Sequence, residues 1–279
     1  MRVGNLAGRL VIITGAGAID VASASDGRFD ADPQAVYDRW PEFVGWAASA
    51  DGAAQSYDRD QLGGPAPAPR QSFGIGLNYR DHVAESGLGV PDQPSVFTKF
   101  PSCITGPYGD VALPPGGHTD WEVELVVVIG VAARHVAESD AWSHVAGLTV
   151  GQDISERISQ LAGAPAQFSL GKSFPGFGPT GPWLVTVDEF ANPDDLELGC
   201  SVNGDQMQKA RTSYLIISVP QLIAKLSAVV TLLPGDIIFT GTPAGVGMGR
   251  DPQRWLAPGD EVVSYVEGIG ELRQRFVAG

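Results

Sequence analysis

The chain has 279 residues, 43% of them hydrophobic and 18% charged, with no uninterrupted apolar run near twenty, a composition that suits a soluble globular protein and excludes a membrane-spanning or disordered one. Thirty-two Asp and Glu against 18 Lys and Arg give a formal net charge of −14 with no basic cluster, so nucleic acid and membrane surfaces are poor partners. Cys103 and Cys200 are the only cysteines and lack CxxC spacing, which points to a cytoplasmic protein with two ordinary thiols.

From the N-terminus, MRVGNLAGRLVIITGAG has an apolar stretch interrupted by glycine and no cleavage region, so it reads as strand, clearest at Arg9–Thr14. Its glycines at 15 and 17 lack the third glycine of a dinucleotide fingerprint. Gly and Pro are scattered throughout, and few segments sustain a 3.6-residue apolar period, which predicts many short strands joined by tight turns. The segment DQLGGPAPAPR, residues 60–70, reads as a linker and divides a small N-terminal portion, residues 1–70, from a large domain, residues 71–279. Beyond it the pattern predicts helices around Tyr79–Ser86, Ser139–Ala146 and Ile154–Leu161, and one at Val219–Val229 with Pro220 in its first turn. Strands are predicted at Trp121–Ile129, Trp183–Thr186 and Asp236–Thr240.

Five stretches carry candidate chemistry. His82 in GIGLNYRDHVAESG has Glu85 three residues on, a spacing that sets both on one helical face. The pair is either a surface ion pair or a carboxylate-oriented imidazole in the arrangement a water-activating base requires. Glu122 and Glu124 in DWEVELVVVIG project from one face of a strand. They either line a solvated edge or share a divalent cation that relieves their repulsion. Asp153 in GQDISERISQ is an N-cap or a third oxygen ligand, and three carboxylates without Cys or His suit Mg²⁺, Mn²⁺ or Ca²⁺ rather than zinc. Lys172, one of four lysines, lies among Gly, Pro and Phe in SLGKSFPGFGPTGPW, as an exposed loop cation or as a partner for a substrate anion. The segment FTGTPAGVGMG places backbone N–H groups and the Thr242 hydroxyl where they can meet a ligand oxyanion, and it lacks the ending of a phosphate loop.

Together and in this order these segments, with FTKFPSCITGP, VNGDQMQ and LLPGDIIFTGTPAGVG, resemble the fumarylacetoacetate hydrolase family from about Phe73 to Val277. The resemblance implies a mostly β (α+β) fold, a mixed β-sandwich roll with a small N-terminal α+β domain, generally a homodimer. It implies Glu122, Glu124 and Asp153 as ligands of a divalent cation, usually Mg²⁺, with His82 and Glu85 as a catalytic dyad and Lys172 as a further catalytic group. Arg157, Gln160 and Thr242 would contact the substrate. The chain departs from the family pattern at Gln152-Asp153, at Glu156-Arg157-Ile158 and at Phe174-Pro175, changes that bear on substrate rather than on the metal site. The activity expected first is metal-dependent hydrolysis of a C–C bond in a 1,3-dicarbonyl acid of the acylpyruvate or fumarylpyruvate type, through an enolate. The alternative is decarboxylation, tautomerisation, isomerisation or dehydration of a 2-oxo diacid or 2-oxo-3-deoxy sugar acid at the same site.

Overall fold

The structure, a computed structural model, describes residues 1–87 and 89–279. Two large sheets organise it. The first has eleven strands, and its main path runs Gly17–Asp20, Arg9–Thr14, Arg2–Leu6, Gly178–Val185, Val145–Gln152, Val123–Ile129, Ile237–Phe239, Ser72–Gly76 and Ser95–Thr98. The second has five, ordered Asp205–Arg211, Glu197–Val202, Glu261–Val266, Gly270–Ala278 and Tyr108–Leu113. Most neighbours are antiparallel, but Ile237–Phe239 runs parallel to Ser72–Gly76 and Gly270–Ala278 runs parallel to Tyr108–Leu113, so both sheets are mixed. This is the mostly β, mixed-sheet fold expected from the sequence.

The sheets face each other across one apolar core, where Leu125, Val127, Leu148 and Val150 of the first meet Leu198, Val262, Leu272 and Phe276 of the second. Val126 and Val128 point the opposite way, into a second core with Leu10, Phe29, Trp40 and Phe43 from the N-terminal segment. The strand Val123–Ile129 is therefore buried on both faces, which explains its unbroken apolar run. Glu122 and Glu124 share the parity of Val126 and Val128, so two acids continue the face that further along packs the second core.

Arg9–Thr14 and the helix Val219–Val229 lie where the sequence places them, the helix opened by a Ser218–Gln221 capping box. The helix predicted over Ser139–Ala146 is instead a 3-10 segment, Glu138–His144, because Val145 and Ala146 already begin the buried strand Val145–Gln152. The strand predicted from Trp121 begins at Val123. Trp121 and Glu122 give their N–H groups to side chains, Asp120 Oδ1 at 2.8 Å and Gln152 Oε1 at 2.8 Å, rather than to backbone carbonyls of a neighbouring strand.

Candidate active site

The helix after Asp153 starts only at Arg157, and its N-cap is Glu156, whose carboxylate accepts from the N–H groups of Ile158 at 3.0 Å and Ser159 at 2.7 Å. Asp153 is thereby free of capping. Its own N–H donates to the carbonyl of Glu122 at 2.9 Å, which turns its side chain toward the paired glutamates. Ligand oxygens of Glu122, Glu124 and Asp153 all fall within 4.8 Å of one another, and all three residues are buried.

Buried cations surround these acids. Lys172 Nζ bridges Glu122 Oε2 at 2.6 Å and Asp153 Oδ2 at 2.7 Å. Lys99 Nζ donates to the other oxygen of Asp153 at 2.6 Å and to the carbonyls of Lys172 and Phe177. Arg157 reaches Glu122 Oε1 at 2.7 Å, Asp120 Oδ2 at 2.7 and 2.9 Å, and Gln160 Oε1 at 2.8 Å. Burial opposes the charge on Glu122, but Lys172, Arg157 and His82 outweigh it and hold its carboxyl down at about 2. Glu124 is the opposite case: burial and the neighbouring Asp153 and Glu122 push its carboxyl well up, and its backbone donor, Gly241 N–H at 2.7 Å, does not offset them. Among the described residues no Lys or Arg forms an ion pair with Glu124.

A divalent cation fits this set. The donors are hard carboxylate oxygens, a lysine ammonium already bridges two of them as counter-charge, and the third is left with negative neighbours that a cation would neutralise.

The other predicted residues converge on the same place. His82 and Glu85 lie on the helix Arg80–Ser86, ended by Gly87 at φ 71°. His82 Nδ1 is 2.8 Å from Glu85 Oε1, and Glu85 Oε2 accepts the Gly245 N–H at 2.9 Å, which ties the helix to the glycine-rich segment. His82, Glu122, Glu124, Lys172 and Arg157 line one narrow cavity of about 50 Å³, with Gln160 and Thr242 also on its wall. The rest of the wall is mainly apolar, including Leu77, Phe97, Leu161, Phe168 and Met248. The Thr242 hydroxyl is already engaged: it donates to the Val123 carbonyl at 3.0 Å and accepts from Gln208 Nε2 at 2.8 Å.

Two residues at the site are not evident from sequence. Lys99 lies in FTKFPSCITGP, where nothing local distinguishes it from a solvated loop lysine, yet its side chain is fully buried against Asp153. Asp120 ends the short strand Thr119–Asp120, three residues ahead of the strand Val123–Ile129. It holds Arg157 and accepts the N–H groups of Gly247 at 2.6 Å and Met248 at 3.0 Å, so one carboxylate fixes both the guanidinium and the glycine-rich loop.

The fold and this buried carboxylate centre define a metal-dependent enzyme. The pattern described as fumarylacetoacetate (FAA) hydrolase C-terminal matches residues 71–277, and the chain belongs to that family. It is similar to human oxaloacetate tautomerase FAHD2A, mitochondrial, with 44% identity over 214 residues, 76% of this chain and 68% of that protein. Among solved structures it matches a Mycobacterium smegmatis protein provisionally described as HpcE, at 56% identity and TM-score 0.97 with full coverage of both chains. It also matches maleylpyruvate hydrolase from Sphingobium sp. SYK-6 in complex with manganese(II) ion and pyruvate, at 29% identity and TM-score 0.80, again over both whole chains.

Proposed function

We propose that the protein interconverts keto and enol forms of a short 2-oxo acid, with a second carboxylate on the substrate as in oxaloacetate. The observation that carries this reading is the dyad's geometry: Glu85 holds His82 Nδ1, so Nε2 is the ring nitrogen left to exchange a proton in a narrow cavity. With the carboxylate accepting from Nδ1–H, Nε2 bears the lone pair of the neutral ring and serves as base. His82 removes a proton from the carbon next to the 2-oxo group as the electron pair moves onto the oxygen, then returns that proton to oxygen. Atoms and charge balance without a co-reactant. Lys172 and Arg157 supply positive charge beside the developing oxyanion. A divalent cation on Glu122, Glu124 and Asp153, Mg²⁺ or Mn²⁺ in this reading, would add Lewis-acid stabilisation of the same charge. The similarity to an oxaloacetate tautomerase supports the choice of substrate class.

Hydrolysis of a C–C bond is a second reading, favoured by the apolar wall of Phe97, Leu161 and Phe168, which fits an acyl tail, and by the similarity to a maleylpyruvate hydrolase. In that case His82 would deprotonate water. One assay separates the two: follow enol absorbance of oxaloacetate and of a simple acylpyruvate, with Mg²⁺ and with EDTA, and quantify pyruvate. Metal-dependent relaxation of oxaloacetate enol to ketone without pyruvate release supports tautomerisation. Pyruvate from the acylpyruvate alone would overturn it in favour of hydrolysis.

A further inference from the structure

The motif VNGDQMQ ends in a residue that reaches the metal-binding strand from the other sheet. Glu197–Val202 and Asp205–Arg211 pair as a hairpin around Asn203 and Gly204, both at positive φ. The register passes from Cys200 opposite Gln208 to Ser201 opposite Gln206, which leaves Met207 as the extra residue of a bulge. Bulges re-aim side chains. This one is pinned from outside, since Arg250 Nη2 donates to the Met207 carbonyl at 3.2 Å and a Cβ on Gly245 would lie 2.2 Å from that oxygen.

Gln208, 1% exposed, spends its whole amide on four partners. Its Oε1 accepts the Val123 N–H at 3.0 Å and the Cys200 thiol at 3.2 Å, while Nε2 donates to Thr242 Oγ1 at 2.8 Å and to the Pro243 carbonyl at 2.7 Å. Val123 is the residue between Glu122 and Glu124, and its carbonyl in turn accepts the Thr242 hydroxyl at 3.0 Å. Both polar backbone groups of Val123 are therefore held by one side-chain pair, Gln208 and Thr242. Gln208 is not among the residues lining the cavity.

We propose that Gln208 is a positioning residue for the divalent-cation site, setting the separation and direction of Glu122 and Glu124 through Val123 and Thr242. The proposal rests on reading Glu122, Glu124 and Asp153 as cation ligands, and on no particular reaction. Residues that orient metal ligands typically cost about 10- to 100-fold in affinity when replaced. The test is Mn²⁺ titration of the metal-free full chain without substrate, free Mn²⁺ being read by electron paramagnetic resonance, beside the thermal midpoint of each protein in EDTA. Gln208→Leu is expected to weaken Mn²⁺ binding by at least about tenfold. Thr242→Val, a near-isostere that removes the other half of the clamp, is expected to show a smaller loss. A fall in the metal-free midpoint with Mn²⁺ affinity unchanged in both variants would mean ordinary packing and would overturn the proposal. If Gln208→Leu loses its near-ultraviolet circular dichroism, Gln208→Met and Thr242→Val decide, and parental affinity in both overturns it. Absence of Mn²⁺ binding by the parent chain would instead remove the cation site, and the proposal with it.

Discussion

Lys99 Nζ donates to Asp153 Oδ1 across 2.6 Å, and neither side chain is exposed. The same ammonium also donates to the Lys172 and Phe177 carbonyls, so it neutralises an acid and organises the turn that delivers Lys172. Removing one partner of a buried ion pair leaves the other uncompensated, which costs about 3–5 kcal/mol. Lys99→Met is therefore expected to lower the urea midpoint sharply, with an unchanged m-value, while Lys172→Met retains more stability because Lys99 still faces Asp153. Equal midpoints for Lys99→Met and the parent would refute this role.

The dyad makes a separable prediction. Glu85→Gln keeps a hydrogen-bond acceptor for His82 Nδ1 but withdraws the charge, and His82→Gln removes the exchangeable ring nitrogen. General acid–base catalysis contributes about 10²–10⁴-fold, so His82→Gln should lose kcat within that range while Mn²⁺ affinity changes little. Glu85→Gln should fall between it and the parent. Steady-state kinetics beside metal titration checks both.

Metal affinity should rise with pH. Glu124 titrates well above its ordinary range in the ion-free protein because of burial and the neighbouring Asp153 and Glu122, and a cation needs the carboxylate deprotonated. The sign for stability follows. A carboxyl whose folded value is raised contributes stability that is fully present below its unfolded value, about 4.3, and is lost as pH rises through the folded one. The thermal midpoint in EDTA should thus fall as pH rises above that value, and saturating Mn²⁺ should abolish the slope. At a hundredfold excess over Kd the cation should add about 2.7 kcal/mol. A midpoint in EDTA that stays flat over this window would contradict the assignment.

Asp120→Asn tests the anchoring of Arg157. The carboxylate accepts from Arg157, Gly247 and Met248 with both oxygens, and an amide would aim N–H at one set of donors. A displacement of about 1 Å in a positioning group can cost roughly 10² in rate. The expected result is a loss of that order in kcat/KM with Mn²⁺ affinity altered less than in Glu122→Gln, which should retain no metal by elemental analysis.

Much of the site was legible because its parts are local. Glu122 and Glu124 are two apart across the start of a strand, and His82 and Glu85 three apart on a helix, so spacing sets each pair on one face while the family resemblance assigns it a role. The Val219–Val229 helix carried its own start signal in Ser218 and Pro220. What was not legible depends on distant segments. Lys99 meets an acid 54 residues later, Asp120 an arginine 37 residues later, and Gln208 a strand 85 residues earlier. None has a periodicity that announces its partner. The N-cap at Glu156 rather than Asp153 likewise depends on Ser155–Glu156 first pairing with Thr119–Asp120, a two-residue contact with no signature in either segment.

The strand carrying the glutamates turns Val126 and Val128 toward Leu10, Phe29, Trp40 and Phe43, and Arg2–Leu6 lies hydrogen-bonded along Gly178–Val185. Cutting the chain where the family match begins, at residue 71, would uncover those valines together with Leu184, Ile237 and Phe239 as a continuous greasy surface on the same face as the acids. A shortened gene would yield a sticky, aggregating product rather than a minimal catalyst, and fusions or immobilisation tethers are better attached at the exposed turn around Asn203 and Gly204 than at a trimmed front end.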